Sequence, residues 1–127
     1  MTALACSTGT SHVARKPHPP FRAILANVLP RVYCDVSEGI PFAGGGARRI
    51  FAETLEMAPI SKLVYGSDGF ALPEINYVSA MLGKRALAQA LDDLVTGDLL
   101  SPAEASEAAC LILADTARRL YRLQATA

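Results

Sequence analysis

The sequence predicts an α/β protein built on two parallel strands, followed by a C-terminal half that is wholly helical. Three observations lead there. Apolar residues recur at helical spacing before and between two short runs rich in β-branched and aromatic side chains. A helix-length segment separates those runs, so they pair in parallel through a right-handed crossover instead of folding back as a hairpin. From residue 73 onward the pattern is helical throughout.

The elements follow in order. Phe21, Ile24, Leu25, Val28 and Leu29 fall on one helical face, and Pro30 ends that helix. Residues 31–36 read as a strand, and the glycine-rich stretch 39–46 reads as a loop. A second helix spans 47–57, with Ile50, Phe51, Leu55 and Met57 turned inward. Residues 62–65 give the second strand, which runs into Gly66-Ser-Asp-Gly69. Pro73 opens a long helix to about residue 95, with Val78, Leu82, Leu87, Leu91 and Leu94 on its buried side and Gly97 as its closing glycine. Ser101-Pro-Ala-Glu104 combines a capping serine, proline at the first helical position and glutamate at the third. The continuous apolar run 108–114 predicts burial on more than one side, and Asp115 or Thr116 is the place for an interruption.

Composition narrows the function classes. A chain of 127 residues is one domain by length, and 51% hydrophobic with 19% charged residues excludes disorder for most of it. Twelve basic residues balance twelve acidic ones, which argues against nucleic acid or an anionic membrane as a partner. Cys6, Cys34 and Cys110 are scattered and odd in number, as expected of a reducing, cytoplasmic setting and not of a disulfide framework. Residues 1–20, with their Arg15-Lys-Pro-His-Pro-Pro20 stretch, differ from the rest and read as a disordered leader, or as a mis-set start; residues 21–127 form the domain.

Asp68 is the most pointed candidate for chemistry. It stands at the carboxyl end of a parallel strand, where ligands gather in open α/β sheets and in barrels. A carboxylate there can hold a metal or take a proton from a metal-bound water; equally, it can accept backbone N–H groups in an Asx turn. The glycine-rich stretch with Arg48 and Arg49 offers an anion site at a helix start, but lacks the spacing of a phosphate loop. His12 and His18 belong to no metal-binding spacing, and Asp92 and Asp93 read as a solvated helix face.

The strings Val32-Tyr-Cys-Asp-Val-Ser37, Ile40-Pro-Phe42, Ala58-Pro-Ile-Ser-Lys-Leu-Val-Tyr-Gly-Ser-Asp68, Leu72-Pro-Glu74 and Ala117-Arg-Arg-Leu-Tyr121 occur in that order. Together they resemble the C-terminal end of the amidohydrolase-related family of metal-dependent hydrolases, in the branch also found fused ahead of glutamine-synthetase domains. One departure is Thr116, where the family usually has asparagine. The resemblance implies a C-terminal fragment of a (β/α)₈ TIM barrel, with 32–36 as strand seven and Asp68 ending strand eight. It implies a divalent metal, zinc by preference, bound or served by Asp68, and hydrolysis of a C–N bond in a small-molecule substrate or, in related branches, decarboxylation. Such a barrel needs roughly 200–400 residues, and the family's H-x-H is absent from this sequence. The expectation is therefore a fragment inactive alone, without bound metal, that associates with a complementary barrel segment or with itself. The contrasting expectation is a small helical interaction module in which Asp68 is only a turn residue.

Overall fold

A computed structural model describes residues 19–37 and 39–123. The expected leader, Cys6, His12 and His18 lie outside those residues, apart from the last two residues of the leader, which begin the first helix. Helix α1 (Pro19–Val28) leads into strand β1 (Cys34–Asp35); α2 (Gly39–Ala43) and α3 (Ala47–Leu55) precede β2 (Leu63–Val64). Then come the long helix α4 (Pro73–Thr96), α5 (Pro102–Cys110) and α6 (Thr116–Tyr121). The strands pair in parallel, Cys34 opposite Leu63 and Asp35 opposite Val64, as the crossover predicts. Each is shorter than the sequence suggests, although Val36 N–H still reaches the Val64 carbonyl at 3.4 Å.

Cys34, Leu63, Ile40, Phe51, Leu87 and Ile112 share one apolar core, so the helices before and after β2 cover the same side of the strand pair. Local signals set several boundaries as expected. Ser101 Oγ accepts from Glu104 N–H at 3.2 Å, and Glu104 Oε2 accepts from Ser101 N–H at 2.8 Å, which completes the capping box. Those bonds to Ser101 hold the Glu104 carboxyl below its ordinary range.

Other expectations are corrected. The stretch 39–46 is not a loop: α2 occupies its first half and a 3₁₀ turn, Gly44–Gly46, its second. Pro41 fits because the third helical position has no intrahelical acceptor to lose, and Gly44, at φ 52°, makes the bend between α2 and α3. On α1 the buried face carries Ala23 and Ala26, while Ile24, Leu25, Val28 and Leu29 are exposed. Small side chains let this helix approach α3 closely, and Lys62 Nζ fixes its end by donating to the Ala26 and Leu29 carbonyls at 2.7 and 2.8 Å.

Met57 lies outside α3 and is exposed, whereas Thr54 is buried there. On α4 the buried stripe shifts toward small residues, Ser79, Gly83, Ala86 and Ala90, with Leu87 and Leu91; Val78 is exposed. Gly97 does not take the left-handed position. Asp98 does, at φ 55°, and Leu99 N–H bonds back to the Leu94 carbonyl at 2.9 Å. Within 108–114 only Ala108 and Ile112 are buried, and Cys110 is exposed. A π turn, Leu111–Asp115, passes directly into α6, so Thr116 starts no new chain direction; it is buried, and its hydroxyl has no partner among the described residues.

Candidate functional site at the strand ends

The carboxyl ends of β1 and β2 are joined by side chains, because two-residue strands offer few ladder bonds. Asp35 Oδ1 accepts from Ser37 N–H at 2.8 Å and from the Ser37 hydroxyl. That hydroxyl in turn accepts from Gly66 N–H at 2.6 Å. A single oxygen thus ties the end of β1 to the residue that leaves β2. The Asp-x-Ser spacing right after a strand is the sequence signal for such a turn, and it was legible at residues 35 and 37 although Asp35 and Ser37 were not among the candidates.

Tyr65 is the second fixed point. Its ring lies against Gly83 of α4, where a Cβ would stand 2.2 Å from the phenolic oxygen, so only glycine fits. The hydroxyl donates to the Ser79 carbonyl at 2.6 Å, and the ring meets Phe51 edge to face with centroids 5.7 Å apart. Burial pushes the Tyr65 phenol above its ordinary pKa. Nothing in the local sequence announces this contact, since the partners are 18 positions apart. Beside it, Tyr65, Gly66, Ser67, Ala80, Lys84 and Leu113 line a hollow of about 190 Å³.

Asp68 stands just beyond. The flanking residues are pinned to the first turns of α4: the Ser67 hydroxyl bonds the Asn76 side-chain oxygen, and a Cβ on Gly69 would fall 2.1 Å from that same oxygen. Between these anchors Asp68 is exposed, with a left-handed φ of 50°. Among the described residues its carboxylate makes no hydrogen bond or ion pair. The turn acceptor is Ser67 Oγ, reached by Gly69 N–H at 3.4 Å, so the Asx-turn alternative for Asp68 does not hold.

The other candidates fall elsewhere. Arg48 is held by Asp93 through Nε and Nη2, at 2.8 and 2.5 Å, so Asp93 is not merely a solvated residue. Arg49 faces Glu53 at 3.6 Å, and Arg118 bonds Asp115 at 3.0 Å. No group of three or more His, Cys, Asp or Glu side chains that could hold a metal ion occurs among the described residues. Asp35, the other acid at the strand ends, is already committed to Ser37.

An α/β unit whose strand ends carry a carboxylate unpartnered among the described residues is the class these features define. The amidohydrolase family model matches residues 9–123, and the chain belongs to that family. It is 32% identical over 108 residues to Protein fluG of Emericella nidulans; the match takes in 84% of this chain and 12% of that protein. The chain thus spans a small part of the relative's length. No solved structure matches it.

Proposed function

We propose that this chain is the C-terminal portion of an amidohydrolase barrel, with β1 and β2 as its seventh and eighth strands, and that Asp68 is the carboxylate it brings to the reaction centre. The reaction is hydrolysis of a C–N bond in a small-molecule substrate, in a reducing, cytoplasmic setting. The observation that carries this reading is the state of Asp68: exposed at the carboxyl end of a parallel strand, held in a left-handed turn by anchored neighbours, and bonded to none of the described residues. Exposed and bonded to none of the described residues, this carboxylate is free to meet a ligand or a second barrel segment.

Members of the family generally use a divalent metal, zinc by this reading. The described residues do not make a site for one, because no three His, Cys, Asp or Glu side chains gather among them and a zinc site takes three or four protein ligands. What this chain supplies is narrower. Asp68 presents a negative charge and a proton acceptor, the Ser67–Asn76 and Tyr65–Ser79 bonds fix where it stands, and Ser37 keeps the two strand ends together. Activity then requires a complementary barrel segment, which is the partner we assign.

The test is reconstitution. The chain is mixed with a segment carrying the first six strands of a barrel of this family, and amide hydrolysis is assayed. The expected result is activity only in the mixture, lost in Asp68→Asn while the complex still forms. Hydrolysis by the chain alone, or a fully active Asp68→Asn complex, would overturn the proposal.

A further inference from the structure

A cleft of about 380 Å³ lies between the Gly44–Gly45 bend and the face of α4 that carries Leu82, Arg85 and Gln89, with Arg48 at its edge. Three features of it go unused by the strand-end site. First, charge: Arg48 and Arg85 line the cleft with no acidic residue among its lining, and Asp93 pairs with Arg48 alone. Arg48 spends Nε and Nη2 on a single Asp93 oxygen and keeps the Nη1 donors, and Arg85 makes no ion pair among the described residues. Second, Gly45 has neither a positive φ nor a neighbour within 4 Å of where a Cβ would stand. Alanine would be the better helix former there, and the missing side chain leaves the backbone open to close approach. Third, Leu82 and Ala86 give the same cleft an apolar wall.

We propose that this cleft binds a small phosphate monoester. Arg48 and Arg85 hold the phosphate dianion, Gln89 adds a neutral donor, Gly45 allows the oxygens to come close to the backbone, and the wall of Leu82 and Ala86 takes the organic part. Paired guanidinium groups suit a phosphate because each offers several N–H donors in one plane. The volume exceeds what a bare phosphate fills and falls within the range of small-ligand pockets. Asp93 takes Nε and Nη2 and offsets part of the Arg48 charge, so its removal strengthens the hold on the phosphate.

Titration of the full chain with glycerol 3-phosphate and with inorganic phosphate, at constant ionic strength in chloride, tests this. Saturable binding is expected, tighter for the ester. Arg85→Gln should weaken it about tenfold, and Asp93→Asn should tighten it by up to about fivefold. Absence of saturable binding would overturn the proposal, as would an affinity unchanged in both variants. Equal or tighter binding of inorganic phosphate would overturn the assignment to an ester.

Discussion

Asp68 combines a backbone conformation that disfavours L-residues with a carboxylate that contributes no contact among the described residues. A left-handed φ costs a typical L-residue roughly 1–2 kcal/mol, less for aspartate, and glycine carries no such cost. If the side chain is there for chemistry and not for the turn, Asp68→Gly should stabilise the chain by about 0.5–1 kcal/mol, seen as a melting temperature raised by about 2–4 °C. A comparable fall would mean that the carboxylate helps hold the bend. Its neighbours behave in the opposite way. Gly69 and Gly83 each have a side chain of another element where a Cβ would be, so their glycines are structural. This division was only partly legible beforehand. Asp68 stood out because of its place after a strand, whereas the Tyr65–Gly83 contact depends on where α4 crosses β2, which no local pattern encodes.

At the scale of elements, the capping box at Ser101 and the parallel pairing of β1 with β2 could be read from the sequence, because both depend on nearby residues or on connection length. The buried faces of α1 and α4 could not. Periodicity counts large apolar residues, yet close helix packing selects small ones, and Ala23, Ala26, Ser79 and Gly83 hold those positions. The large residues of α1 are left outside, with Val28 70% exposed. An apolar stripe of this kind promotes association. We expect the chain to self-associate in size-exclusion chromatography, and Leu25→Glu with Val28→Lys to move it toward monomer without lowering its melting temperature. A loss of stability in that variant would place those side chains in the core after all.

On the scale of the whole molecule, the two strands among the described residues are two residues long and leave outer edges, and apolar helix faces are exposed; both favour a neighbour. A barrel closes its sheet and thereby removes such edges. Membership of the amidohydrolase family was legible in the ordered motifs from Val32 to Tyr121, and the match over residues 9–123 bears it out. Periodicity alone pointed only to an α/β unit, because nothing in two strands distinguishes an open sheet from part of a barrel. No helix among the described residues is long and apolar enough to cross a membrane.

By the proposed reading, Asp68 is one member of a site whose other ligands come from a complementary segment. Metal analysis of the purified chain after equilibration with zinc and removal of the excess tests it most directly. Far less than one zinc per chain is expected, with no difference between the wild-type chain and Asp68→Ala. One zinc retained per chain, and lost in Asp68→Ala, would contradict it.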